Sequence, residues 1–162
     1  MTLPPGDEDL IRVASLSRER AYAPYSGFQV GAAVLAGGRI YSACNVENSA
    51  YPLSVCAERN AVGSAVAAGH RRIDAVAIVA GDGRPAAPCG GCRQVFAEFC
   101  DLDAPVVYAS TAGRSVITTA GALLPDSFGP ADLLAESPRP AGIVRDPARS
   151  AARIRGARKR RK

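Results

Sequence analysis

The sequence predicts an α/β fold, an α/β/α sandwich with helices on both faces of a mixed five-stranded sheet, mostly parallel and opened by an antiparallel hairpin. Three observations carry that expectation. Two apolar runs meet at Gly37-Gly38, the segment from Ile73 to Ala80 is almost wholly apolar, and helix-periodic stretches alternate with such runs. Alternation of this kind marks layered α/β domains.

Leu10, Val13, Ala14, Ser17 and Ala21 recur at helical spacing, which predicts a first amphipathic helix from about Asp7 to Arg20. Tyr22-Ala23-Pro24-Tyr25-Ser26-Gly27 then reads as a loop. Phe28 to Ala36 and Arg39 to Val46 form the hairpin, because a two-glycine link supplies the positive φ that a tight turn needs. Cys56 to about Ala68 is alanine-rich and helical, with Gly69 placed to cap it in a left-handed conformation. Ile73 to Ala80 has the composition of a strand buried on both faces. Pro88 opens a third helix, whose apolar stripe is Cys92, Val95, Phe96, Phe99 and Cys100. Pro105 to Ala109 and Val116 to Thr119 complete the set of strands.

At 162 residues the chain is expected to be one domain with one core. No stretch approaches the roughly 18 to 20 apolar residues of a membrane helix. Met1 to Asp9 is acidic and proline-rich, unlike a signal peptide, so a cytoplasmic location is expected. The net charge of +5 is unevenly distributed. From Arg139 to Lys162, ten Lys or Arg face the single acid Asp146, a charge of +9; the preceding residues carry ten Arg against fourteen acids, a charge of −4. The chain therefore divides into a domain at 1–138 and a basic tail at 139–162, too poor in large apolar residues to pack a core. The high pI belongs to the tail and does not by itself argue for nucleic acid. With no aromatic residue for base stacking, the tail reads as a solvated end.

The chemistry lies in Cys56-Ala57-Glu58 and Pro88-Cys89-Gly90-Gly91-Cys92. Cys89 and Cys92 have the two-residue gap of zinc thiolate pairs, and Cys56 offers a third sulfur. Three protein ligands leave a tetrahedral zinc one open position, the mark of a catalytic site, and an adjacent acid suits the proton traffic of hydrolysis. Cys56 and Cys89 would each start a helix, where unpaired N–H groups favour a thiolate. Three thiolates overcompensate the dication, and Arg59 and Arg93 are the positive charges at hand. The plainer alternative is a structural zinc with a fourth ligand drawn from Cys44, Cys100 or His70. The first two read better as core thiols and the third as a surface residue at a helix end. Five cysteines without a secretion signal argue against a disulfide framework.

The chain also resembles the small, three-cysteine cytidine deaminases. The likeness rests on Tyr22-Ala23-Pro24-Tyr25-Ser26, Phe28, Val30-Gly31-Ala32-Ala33, Asn45-Val46-Glu47-Asn48, Cys56-Ala57-Glu58-Arg59 and Pro88-Cys89-Gly90-Gly91-Cys92-Arg93-Gln94. These blocks stand in the family's order between about Leu10 and Leu134. The resemblance implies zinc on Cys56, Cys89 and Cys92, with Glu58 moving a proton from water to N3 of cytosine and then handing a proton to the departing amino group. It implies that Phe28 packs on the pyrimidine, that Asn45 and Glu47 bond the ribose hydroxyls, and that the Ala57 backbone reads the base edge. It also implies a homotetramer in which Phe128 closes a neighbour's pocket and Tyr51 lies near an interface. The substrates would be cytidine and deoxycytidine, as in pyrimidine salvage. Two competing readings are a deaminase for a modified cytosine nucleoside of the blasticidin S type and a nucleic-acid-binding module with a structural zinc. Taken singly, Glu58 reads as a solvated acid, Phe28 as core, Asn45 as a turn residue and Phe128 as a packing anchor.

Overall fold

The computed structural model describes residues 7–133. The boundary expected at residue 138 and the basic tail at 139–162 lie outside the described residues. Helix α1 (Asp7–Arg18) leads to strands β1 (Val30–Ala36) and β2 (Arg39–Cys44), a 3-10 turn at Tyr51–Leu53, α2 (Ala57–Ala67) and β3 (Ala75–Ala80). Then come α3 (Gly90–Phe99), β4 (Pro105–Ala109), β5 (Ser115–Thr119) and the short helices α4 (Ala120–Leu123) and α5 (Pro130–Leu133).

The five strands form one sheet in the order β2-β1-β3-β4-β5. Only β3 and β4 pair in parallel; β1–β2, β1–β3 and β4–β5 are antiparallel. The mixed five-stranded sheet is as expected, but a mostly parallel one is not. The helical connections do join strands of like direction, since β2, β3 and β4 all run the same way. Strand β1, however, sits between β2 and β3 and makes both of its pairings antiparallel.

The pleat sends alternate residues to opposite faces. Ala32, Val34, Val76, Ile78 and Val106 pack against Ala61, Val62 and Ala65 of α2 and Cys92 and Phe96 of α3. Ala33, Ala75, Ala77, Val79 and Val107 pack against Leu10 and Ala14 of α1 on the other face. The hairpin turns as predicted, with Gly37 and Gly38 at φ 56° and 75° and Ala36 opposite Arg39. Helix α2 ends in a Schellman motif. The Gly69 N–H donates to Val66 O and the His70 N–H to Ala65 O, both at 3.0 Å, and Gly69 has φ 97°. The two short helices after β5 have no counterpart in the expected elements; Thr119 caps α4 by accepting from the Ala122 N–H at 3.2 Å.

Helix α1 lies so close to β1 that a Cβ on Gly31 would stand 1.9 Å from Ala14 O and 2.4 Å from Arg18 N. Both are backbone atoms and neither has a rotamer to give way. Gly31→Ala should therefore destabilise the fold by about 3 kcal/mol or more, read as a lower denaturant midpoint, whereas Gly63→Ala in α2, with open space around it, should not.

Candidate active site

Two helix starts build the site. Cys56 is the N-cap of α2 and Cys89 the N-cap of α3, both with extended backbone. Cys92 follows in the first turn of α3 and is buried. The Cys56 and Cys89 sulfurs are 3.9 Å apart, those of Cys89 and Cys92 3.5 Å, and all three lie within 4.8 Å of one another. Tetrahedral zinc with Zn–S bonds of about 2.3 Å needs sulfurs about 3.8 Å apart, so the donor set and its spacing fit zinc. Among the described residues no fourth His, Cys, Asp or Glu joins the three within that distance.

The other candidates for a fourth ligand are engaged elsewhere. Cys44 Sγ donates to Arg20 O at 3.3 Å, and Cys100 is buried at the far end of α3, where burial pushes its thiol up to about 12. His70 is half-buried rather than on the surface. Its Nε2 lies 2.9 Å from the Tyr41 hydroxyl and its ring covers the hairpin turn at Gly37.

The sulfurs share charge unequally. A hydrogen bond from Cys92, with further help from Cys89 and Arg59, lowers Cys56 to about 5. The same bond, together with burial, holds Cys92 far above the usual thiol range. Three thiolates this close repel one another, and a divalent cation is what lets them ionise together.

Glu58, in the first turn of α2, is 5% exposed, and its carboxyl is raised above the ordinary range by burial first and by the Cys56 charge as well. Arg59 donates through Nη2 to Ser54 O at 3.0 Å and reaches Cys56 Sγ at 4.0 Å. Arg93 instead ties down the scaffold, its Nε donating to Pro88 O at 2.9 Å and its Nη1 to Leu123 O at 3.1 Å.

The loop blocks reach this centre through backbone pairing. Val46 and Val55 exchange both bonds, at 3.0 and 2.9 Å, which sets the segment from Asn45 to Glu47 beside the chain entering Cys56. Asn45 Oδ1 accepts from the Val30 N–H at 2.8 Å and its Nδ2 donates to Phe28 O at 2.9 Å. Glu47 accepts from the N–H groups of Tyr25 at 2.9 Å and Ser26 at 3.2 Å, and from the Ser26 hydroxyl. These bonds, the hydroxyl's first, hold its carboxyl below the usual range. The Phe28 ring, 47% exposed, lies next to Gly81 at the end of β3. Ala57 is buried between Cys56 and Glu58.

Phe128 is 58% exposed, and its carbonyl accepts from Gln94 Nε2 at 2.8 Å. Tyr51, also exposed, meets Tyr25 edge-on with ring centres 5.9 Å apart. Sequence reasoning gave no role to Ser26 or Gln94. Both stand inside motif blocks, but what they bind is visible only once distant segments meet.

Residues 5–109 match the cytidine and deoxycytidylate deaminase zinc-binding region. The chain is 50% identical over 127 residues to a cytidine deaminase from Sporosarcina psychrophila, spanning 78% of this chain and 93% of that protein. It is 45% identical over 125 residues to one from Halalkalibacterium halodurans, spanning 76% and 95%. A crystal structure of cytidine deaminase from Burkholderia pseudomallei superposes with a TM-score of 0.73 at 46% identity, covering 79% of this chain and all of that one. Among the described residues, no helix is long and apolar enough to cross a membrane.

Proposed function

We propose, because this chain belongs to the cytidine and deoxycytidylate deaminase family, that it hydrolyses cytidine and deoxycytidine to uridine and deoxyuridine with release of ammonia. The observation that carries this reading is the three-sulfur cluster beside the buried Glu58. Cys56, Cys89 and Cys92 would hold zinc, whose chemistry there is Lewis-acid polarisation that makes water acidic near neutral pH. Glu58 accepts the water proton and passes it to N3 of the pyrimidine as the C4–O bond forms. It then takes the proton of the new C4 hydroxyl and delivers it to the amino nitrogen as the C4–N bond breaks, which leaves the C4 carbonyl and releases ammonia. A carboxyl whose proton affinity is raised by burial suits both halves of that exchange.

Phe28 offers its exposed ring to the pyrimidine face. After its two backbone bonds, the Asn45 side chain keeps one N–H and one lone pair for a ribose hydroxyl, and Glu47 Oε1 keeps acceptor capacity beyond the Ser26 hydroxyl. The Ala57 backbone reads the base edge, and Arg59 offsets part of the sulfur charge. The exposed Tyr25, Tyr51, Leu53 and Phe128 suit a homotetramer in which Phe128 closes a neighbour's pocket. Residues 1–138 are the catalytic unit, the tail at 139–162 takes no part in the reaction, and the setting is cytoplasmic pyrimidine salvage.

The test is incubation of the zinc-loaded protein with cytidine, followed by absorbance. Conversion to uridine is the expected result. An intact, zinc-loaded protein that leaves cytidine unchanged would move the assignment to a modified cytosine nucleoside.

A further inference from the structure

Phe28 lies outside the sheet, between the turn at Gly27, with φ 67°, and the start of β1. Its backbone groups therefore have no ladder partner, and two side chains supply what the ladder does not. The Phe28 N–H donates to Ser26 Oγ at 3.0 Å, and Phe28 O accepts from Asn45 Nδ2 at 2.9 Å. The same Ser26 hydroxyl donates its proton to Glu47. One oxygen thus joins the Phe28 backbone to the Glu47 carboxylate, which stands 21 residues beyond Ser26 in sequence.

We propose that Ser26 is a positioning residue: by linking Glu47 to the Phe28 backbone, it holds the ring and the carboxylate in one fixed relation that sets how tightly the nucleoside is bound. This rests on the reading of Phe28 and Glu47 as nucleoside contacts. The backbone N–H groups of Tyr25 and Ser26 anchor Glu47 whatever the side chain at position 26, so they do not replace the link to Phe28. Alanine removes the donor and the acceptor together and leaves the Phe28 N–H to water. Threonine keeps both, and because Ser26 is exposed there is room for the added methyl. The proton path through Glu58 stands on α2, with bonds of its own, so the effect falls on binding rather than turnover.

The experiment compares Ser26→Ala and Ser26→Thr with the parent, all zinc-loaded. Cytidine kinetics and amide hydrogen exchange at Phe28 are measured on each. Ser26→Ala should raise KM about 5- to 30-fold, the loss of one to two net hydrogen bonds, with kcat changed less than about threefold and Phe28 exchanging faster. Ser26→Thr should restore both KM and protection. A parental KM in Ser26→Ala, a loss confined to kcat, or a threonine variant as impaired as the alanine one overturns the proposal. If the parent itself does not turn over cytidine, the substrate reading fails separately and exchange decides the link. Faster Phe28 exchange in alanine but not threonine upholds it, and equal exchange in all three overturns it.

Discussion

Glu58→Gln is expected to lower cytidine turnover by about 10²- to 10⁴-fold, the range general acid–base groups supply, while the protein keeps its fold and its zinc. The glutamine is nearly isosteric, so the first turn of α2 and the backbone at Cys56 and Ala57 stay in place. What it loses is the capacity to take protons from the attacking water and pass them to N3 and the leaving nitrogen.

Stability should be held or raised by the same change. Burial lifts the folded-state pKa of Glu58 above its unfolded value. Its contribution to stability is then fully present below the unfolded pKa and is lost as pH rises through the folded one. At neutral pH the parent carries that loss and the glutamine variant does not. In metal-free protein, the thermal midpoint of Glu58→Gln should therefore equal or exceed the parent's near pH 7, the gap closing on acidification. Parental turnover by the variant would show that the proton travels by another group.

Cys92→Ala should abolish both zinc retention and activity. Cys92 is the buried sulfur of the three and sits one turn into α3, so no exposed side chain can swing in to replace it. Two sulfurs on two helix starts would remain, and metal measured after gel filtration should fall from about one zinc per chain to near none. Turnover should fall at least about 100-fold with it. Chelation of the parent should mimic the variant, and added zinc should restore the parent alone. Because ligating thiols must shed their protons, mild acid should also strip the metal. A variant that kept its zinc would remove Cys92 from the ligand set.

Much of the site was legible because its signals are local. The gap between Cys89 and Cys92 puts two sulfurs on one side of a helix start whatever the rest of the chain does, and Glu58 follows Cys56 into the first turn of α2. Gly37-Gly38 sets the hairpin turn by backbone sterics alone, and the pleat then sorts Ala32 and Val34 from Ala33. Arg93 shows the limit. Its neighbour Cys92 suggested charge compensation, yet its guanidinium spans from Pro88 O to Leu123 O and braces the metal-bearing helix against α4. Asn45 and Glu47 show another: they sat in a motif, but their bonds to Phe28, Val30, Tyr25 and Ser26 arise only when β1 and β2 close.

By itself, then, the sequence determined the three sulfurs, the acid beside them, the hairpin and the buried strand that follows Ile73. Apart from the meeting of Cys56 with Cys89, 33 residues away, these follow from spacing within one or two turns of chain. Tertiary structure decided that β1 lies between β2 and β3, that three of the four strand pairs are antiparallel, and that one serine hydroxyl joins Glu47 to Phe28. Periodicity states how an element will face but not which element it will meet. Strand neighbours are chosen by the packing of whole faces, and that choice brings residues far apart in the chain within hydrogen-bonding distance.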